Sequence, residues 1–458
     1  MIKKILKIVL FIILAYIVYV LISMIVPPLF RTASTHVYEK EFPVTNSHER
    51  VKIIEDNVEA LEMRLKLIEE AQDEIIFTTA DWFADDSGSL VMAALANAAA
   101  RGVDVKVITD GLSYFTRLRG SDMFQSLAAA DNVEVRIYNR ISFLTPWKWN
   151  YRLHDKYLIA DGRIYLLSGR NTSNLFLGGY PGRCNYDRDV LVYETDPEEA
   201  SSLTDVRDYF FGMWESKYCS EVKGKKGTGE DKLRSTYESI KTDYPSVYEK
   251  TDWEEVTKEV GSIRLIANPI NLASHSPDVW DGIIYEMKKG SDISVITPYF
   301  IIDGRLLNEI TGVCEGERNI NVITNSVYSG ANVPGCADFL NNRKKLAKSP
   351  MEIYAYSGDR SRHTKTVLID DNISIVGSFN YDMRSIYLDT EMMLVIDSPE
   401  INAELRSEAE KAMDSSAHLL ADGTSVNGKD FAEREIPAGK KILLTIVRVL
   451  ILPFRYLL

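Results

Sequence analysis

The sequence predicts an α/β fold of two pseudo-symmetric halves with largely parallel or mixed sheets, a single site at their interface, and an N-terminal transmembrane helix. Three observations predict it. Strand-like and helix-like stretches alternate at a spacing that implies sheets with helices on their faces. One arrangement of His, Lys, Asp and Asn occurs twice, in LHDKYLIADGRIYLLSGRN from Leu153 and in RHTKTVLIDDNISIVGSFN from Arg362. An apolar run from Ile8 to Val26, broken by Ser23, stands near the start.

That run is long enough to span a hydrocarbon core. Pro27-Pro28-Leu29 offers no small-residue cleavage site, which distinguishes residues 1–30 from a signal peptide. Lys3, Lys4 and Lys7 precede the run and favour a cytoplasmic N-terminus, with the body on the outer face of the membrane.

The body is expected to open with a helix from Val51, in VKIIEDNVEALEMRLKLIEEAQ, followed by the strand EIIFTTADWF. A helix SLVMAALANAAARG, capped by Ser87 or Ser89 and closed by Gly102, leads to the strand VDVKVITDG. A further helix and the strand VEVRIYN reach the first quoted stretch. The second half repeats this order with DISVITPYF, GRLLNEITGVCEGERN, INVITNS, ADFLNNRKKLAKS and MEIYAYS. The divisions expected are 50–219 for the first half, 220–260 for a polar linker or solvated insertion, and 261–420 for the second half. Residues 438–458 carry Lys440, Lys441, Arg448 and Arg455 among apolar residues, and read as a basic amphipathic helix at the membrane interface.

With 458 residues, 45% of them hydrophobic and 26% charged, the chain has material for a duplicated core. A net charge of -13 argues against a broad electrostatic grip on nucleic acid, which is not an expected partner. Cys184, Cys219, Cys314 and Cys336 form no CxxC pair and no ligand-spaced cluster with histidine, so they are read as packing residues and no metal is expected.

Aligning His154 with His363 aligns Lys156 with Lys365, Asp161 with Asp370, and Asn171 with Asn380 without a gap. Asp161-Gly162 is a hairpin-turn signal, and Asp370-Asp371 takes its place in the second copy. Asp161 and Asp370 are therefore expected to hold the hairpins. Folding each hairpin about a tight turn sets Gly169 across from His154 and Ser378 across from His363, bringing Asn171 and Asn380 near the imidazoles. Two such sets facing one another suit phosphoryl transfer. One imidazole attacks phosphorus, the other protonates the departing oxygen, and two ammonium groups stabilise the developing charge. Neither metal nor cofactor is required.

The H-x-K-x4-D pattern followed by G-S-x-N resembles the phospholipase D superfamily over both halves, roughly Val51 to Ser398. The resemblance implies that His154 forms a covalent phosphohistidine and that His363 acts as general acid and then base. It also implies an acidic residue downstream of each motif that orients the imidazole, which gives Asp189 to His154 and Glu391 to His363. Ser168-Gly169 departs from the more usual Gly-Gly or Gly-Ser, represented here by Gly377-Ser378, and the gap from Asn171 to Asp189 is longer than its counterpart. SGRNTSN…DRDVLVYE and GSFNYDMRSIYLDTEMMLVID are similar to bacterial cardiolipin synthases. That likeness implies a phosphatidyltransferase acting on phosphatidylglycerol and possibly phosphatidylethanolamine. A phospholipase D hydrolase and a membrane-anchored nuclease are the alternatives; an idle scaffold is disfavoured because both His/Lys sets are intact.

The remaining features have structural readings. His36, His48, His275 and His418 lie outside any pattern and are read as surface residues. Arg384 either contacts a headgroup or pairs structurally, and the aromatic residues of FLTPWKWNYR either line a lipid entrance or pack.

Overall fold

The computed structural model describes residues 2–29, 48–182, 184–196, 201–316 and 318–458. His36 lies outside them. Helix Ile2–Ile25 is long and apolar enough to cross a membrane and is almost wholly exposed.

Each half is built on a mixed sheet of nine strands. In the first, Glu49–Ile54, Asp189–Glu194, Ile164–Ser168 and Tyr157–Ala160 run side by side in antiparallel fashion, followed by Glu74–Thr79, Asp104–Asp110 and Val133–Tyr138, which are mutually parallel. Cys219–Glu221 closes that edge antiparallel. The second sheet repeats the same eight positions with Ser262–Ala267, Met392–Asp397, Ile373–Gly377, Thr366–Ile369, Asp292–Thr297, Asn319–Asn325, Glu352–Tyr356 and Ser416–Leu419. The ninth strands differ, Lys258–Glu259 at one end of the first sheet and Ser425–Asn427 at the other end of the second. The duplication thus extends to strand order.

Three cores follow from this plan. One lies on the outer face of each sheet, and the third joins the halves. It combines Ile76, Ile108, Tyr165 and Val192 of the first sheet with Ile296, Ile323, Leu368 and Leu394 of the second. Helices Ser202–Trp214 and Pro399–Asp414 wedge Phe210, Trp214, Ile401 and Leu405 into it. Burying each such side chain stabilises the union by about 1.5–3 kcal/mol, so the halves form one body.

Several local expectations need correction. The first body element is a strand, Glu49–Ile54, and the helix begins at Asn57, because Asp56 accepts hydrogen bonds from Val58 N and Glu59 N and caps it there. Helix Asp86–Ala100 is capped by Asp85, not by Ser87 or Ser89. Residues 220–260 are not a solvated linker. They contain helix Gly229–Asp243, which buries Leu233, Tyr237 and Ile240 in the first core, and strand Lys258–Glu259, which pairs with Glu49–Ile54. The charged residues of that helix occupy its other face, so composition hid a half-buried element.

Near the C-terminus, helix Ala438–Leu450 rests Leu444 and Val447 against the region of Cys336 and Ala337. It leaves Ile442, Leu443, Ile446, Val449 and Leu450 exposed.

Candidate active site

Each hairpin has a three-residue loop rather than a tight two-residue turn. The last ladder pairs are Ala160 with Ile164 and Ile369 with Ile373, so the expected pairing of His154 with Gly169 and of His363 with Ser378 is off by one. Asp161 and Asp370 stand at φ +52° and +46°, in the left-handed region that Asp tolerates. Their carboxylates accept hydrogen bonds from Gln72 N, Asp73 N and Glu74 N, and from Ser291 N and Asp292 N. Both tie the hairpin tip to the start of the neighbouring antiparallel strand.

The other ends of the hairpins carry the paired histidines. Asp110, at the end of its strand, accepts from Leu153 N at 3.0 Å; Asn325, its equivalent in the second sheet, accepts from Arg362 N at 3.0 Å. Each contact fixes the residue just before a histidine. Leu153 also bridges to Thr390, and Ser361-Arg362 pairs in parallel with Asn185-Tyr186. Each histidine therefore lies beside a segment of the opposite half.

That cross-pairing decides which carboxylate serves which ring. His154 Nδ1 lies 2.8 Å from Glu391 Oε1, and His363 Nδ1 lies 2.6 Å from Asp187 Oδ2. Glu391 therefore faces His154, not His363, and Asp189 reaches neither ring. Asp189 is fully buried and held by Arg64 at 2.7 Å, Arg170 at 3.2 Å and the Ser168 hydroxyl. Strand register shows which carboxyls are equivalent: Ser168 opposes Asp189 as Gly377 opposes Met393, so Asp187 and Glu391 stand two residues before those positions, just ahead of their strands.

Around the Asp187–His363 pair the packing is close. A Cβ on Gly169 would stand 2.4 Å from Asp187 Oδ1, so the glycine makes room for the carboxylate. Arg170 donates to the Asp187 carbonyl and to Asn57 Oδ1. Arg188 follows directly and reaches Thr366 of the other half at 2.6 Å. In the second half Ser378 donates to Glu391 instead.

Lys156 and Lys365 each donate to the carbonyl of the histidine two residues before, and Lys365 Nζ is 3.7 Å from Asp187 Oδ2. The amide oxygens of Asn171 and Asn380 are buried and find no partner among the described residues. Such amides are ready to take a ligand's polar atoms.

Burial governs the protonation of the set. It lowers the His363 imidazole to about 4, with Lys365 pushing the same way, and it lowers His154 together with Lys156. Burial alone would raise Asp187, but the charges of Lys365 and His363 and the hydrogen bond hold its carboxyl well below the usual range. Glu391 is raised by burial to about 8 despite the Lys156 charge, and Lys365 is lowered by burial to about 8 despite Asp187. The resting imidazoles are neutral. Nδ1 of each ring is turned to a carboxyl group of the opposite half, and Lys365 Nζ also approaches His363 Nδ1 and lies 3.3 Å from its Nε2.

Two residues outside the motifs brace the site, one against the reading from sequence and one in keeping with it. His275 is buried, its Nδ1 and Nε2 at hydrogen-bond distance from the Ser276 and Asp389 carbonyls, so it is not a surface residue. Arg384 pairs with Asp389 at 3.0 Å and donates to Asn150 O, which is a structural role. Asp389 in turn accepts from Arg152 N at 3.3 Å, steadying both His154 and the approach to Glu391. His418 pairs with Glu352, away from the site.

Two imidazoles, each backed by a carboxylate of the opposite half and accompanied by Lys and Asn, define a paired-histidine site of the phospholipase D superfamily. The family described as "Cardiolipin synthase, PLD-like domain" matches residues 65–214 and 283–413, and the chain belongs to it. The chain is 26% identical over 396 residues to cardiolipin synthase C of Escherichia coli K12, covering 75% of this chain and 80% of that protein. It is 24% identical over 360 residues to cardiolipin synthase B of the same strain, covering 78% of each. Among solved structures, phosphatidylserine synthase of Haemophilus influenzae superposes with a TM-score of 0.63 at 15% identity, over 89% of this chain and 95% of that one. That last likeness concerns the fold.

Proposed function

We propose that the protein is a membrane-bound phosphatidyltransferase that makes cardiolipin or a close analogue through a phosphohistidine intermediate. The observation that carries the reading is the reciprocal pairing of His154 with Glu391 and His363 with Asp187. It gives one phosphodiester two activated imidazoles from opposite halves.

His154, whose side chain is 21% exposed against 10% for His363, takes the nucleophile's part. Its Nε2 forms a bond to phosphorus as the bond to the leaving alkoxide breaks, and His363, which takes up a proton once the anionic phosphodiester sits beside it, delivers that proton to the oxygen. In the second step a lipid hydroxyl attacks phosphorus, His363 takes its proton, and the bond to His154 breaks. Lys156 and Lys365 stabilise the nonbridging oxygens, and the amides of Asn171 and Asn380 turn their NH2 groups toward them. Asp161, Asp370, Ser168, Gly169, Gly377 and Ser378 are assigned structural parts.

Phosphatidylglycerol, as donor and acceptor, is the expected substrate, with phosphatidylethanolamine a possible second donor. The relatives named as cardiolipin synthases and the N-terminal helix support a lipid reading, and Lys3, Lys4 and Lys7 before the apolar run favour a body on the outer face. The test is lipid product analysis with purified protein, both lipids, and a chelator. Cardiolipin formed by wild type and lost in His154→Ala and His363→Ala is the expected result. Phosphatidic acid alone would make the enzyme a hydrolase, and cleavage of oligonucleotides with no lipid product would make it a nuclease.

A further inference from the structure

The segment Ser142–Asn150, which ends four residues before His154, presents Phe143, Leu144 and Trp147 to the outside at 54%, 81% and 36% exposure. Exposed apolar residues in isolation are ordinary. These sit against helix Ile2–Ile25. Tyr16 donates its hydroxyl to Phe143 O at 2.7 Å, Tyr19 donates to Leu144 O at 3.2 Å, and Asn150 Nδ2 donates to Met24 O at 2.7 Å.

The helix serves as a ruler. Met24 and Tyr16 are eight residues apart, which at ~1.5 Å per residue is ~12 Å along the axis. Half of a hydrocarbon core is ~15 Å. A segment touching both residues extends along the helix for most of a leaflet.

Most of the carbonyls at its exposed tip are covered within the protein. The Ser142 carbonyl accepts from Trp149 Nε1 at 2.9 Å and from Thr145 N at 3.2 Å, and the Thr145 carbonyl accepts from Lys148 N at 3.0 Å. Leu144 N donates to the Ser142 hydroxyl at 3.3 Å. The carbonyls of Phe143 and Leu144, at the exposed tip, are those the two tyrosines cover. A loop tip in water needs no such cover, whereas backbone in hydrocarbon must have every polar group satisfied within the protein. Tyr16 and Tyr19 lie three apart on one helix face, placed for this contact within an otherwise apolar run.

We propose that Ser142–Asn150 enters the lipid bilayer beside the N-terminal helix, with Phe143 and Leu144 among the acyl chains and Trp147 and Trp149 near the headgroups. The inference rests on the lipid-directed reading above and on the helix as a span. Trp and Tyr favour the interfacial level, and Lys148 can extend its ammonium back to it. The segment is rigidly joined to the site. Asn139 Nδ2 donates to Lys148 O and Tyr151 O, and Arg384 donates to Asn150 O. Tyr456, beyond the exposed face of Ala438–Leu450, donates to Ile25 O, so the C-terminal tail joins the same end of the helix. Insertion would therefore fix the depth of His154 relative to the headgroups.

The test places the full chain in vesicles of phosphatidylglycerol and phosphatidylethanolamine whose acyl chains carry bromine. Trp82, Trp214 and Trp280 are buried in the body and Trp253 is half-buried against the first core, far from the N-terminal helix, with its Nε1 on Glu70, so bromine should quench mainly Trp147 and Trp149. Quenching is expected in wild type and should be largely lost in W147F/W149F. In that background Leu144→Trp should restore it, most strongly with bromine deep in the chains. An indole at position 144 quenched by aqueous iodide and untouched by brominated lipid would overturn the proposal. So would equal quenching of wild type and W147F/W149F, which needs no new indole to fold. The measurement requires no turnover. Cardiolipin formation with an aqueous segment would sink this inference alone, and bromine quenching without a lipid product would sink the functional reading alone.

Discussion

Asp187→Asn is the substitution that most directly separates the site as built from the site as read along the chain. Asp187 Oδ2 stands 2.6 Å from His363 Nδ1, and the amide replacement keeps the shape while removing the charge. In the transition state His363 carries a positive charge that the free, neutral imidazole lacks. Taking ~4 Å between charge centres and an effective dielectric near 20, the carboxylate stabilises that cation by ~4 kcal/mol. A loss of that size corresponds to about a thousandfold in kcat, since each 1.36 kcal/mol is about tenfold. Asn can also donate to Nδ1 and favour the wrong tautomer, which pushes in the same direction. The control is Asp189→Asn. Removing the charge buried against Arg64 and Arg170 should destabilise the protein by about 3–5 kcal/mol, visible in the melting temperature. The assay is cardiolipin formation in mixed micelles beside thermal unfolding of the same preparations. If Asp187→Asn turns over within threefold of wild type while Asp189→Asn is inactive at an unchanged melting temperature, the cross-half pairing is wrong.

Other consequences follow from the same geometry. Gly169→Ala should put a Cβ against Asp187 Oδ1 and lower turnover tenfold or more, at an overpacking cost of about 1–3 kcal/mol, whereas Gly304→Ala, with nothing within 4 Å, should be neutral; steady-state kinetics and circular dichroism of both check this. Lys365, lowered to about 8, must be charged to stabilise phosphoryl oxygens, so kcat/KM should decline as pH rises through about 8. His154, which must be neutral to attack phosphorus, is held by burial and by the Lys156 charge well below the ordinary imidazole value, so no acid limb should appear near 6.5 in the same profile. Treatment with a chelator should leave activity unchanged, because the nucleophile, acid and charge stabilisers are all side chains; a rate restored only by added divalent ion would contradict this.

What the sequence made legible was whatever repeats at fixed spacing. The duplicated His, Lys and Asn positions share one offset, and the strands leading to them alternate with helices in both copies, so fold class and motif residues could be read together. The capping of Asn57–Glu70 by Asp56 was also readable in principle, since Asp precedes the helical run by one residue. The polar stretch 220–260 was harder, because a helix that buries only Leu233, Tyr237 and Ile240 looks like a linker when judged by charge. The carboxylates escaped for a different reason. Asp187, just ahead of the strand, and Asp189, its first residue, are two apart, so alternation cannot choose between them, and only the pairing of Ser168 with Asp189 reveals that Asp189 corresponds to Met393.

The exchange of carboxylates between halves also gives a physical reason for keeping the duplication in one chain. A His backed by the carboxylate of its own half would leave each half a self-sufficient unit, and the two could drift relative to one another without loss of orientation at either ring. Here Leu153 pairs with Thr390 one residue before the His154–Glu391 contact, and Arg362 pairs with Tyr186 one residue before His363–Asp187. Each ring is oriented by backbone pairing that exists only when the halves are docked. In-line transfer between two imidazoles tolerates little error in their separation, and misplacement by an ångström costs about a hundredfold. Building each His–carboxylate pair across the interface makes the separation of the rings and the orientation of each ring one structural variable. A mutation that loosens the interface should therefore disable both steps of the reaction together, leaving neither half with a residual single-histidine activity.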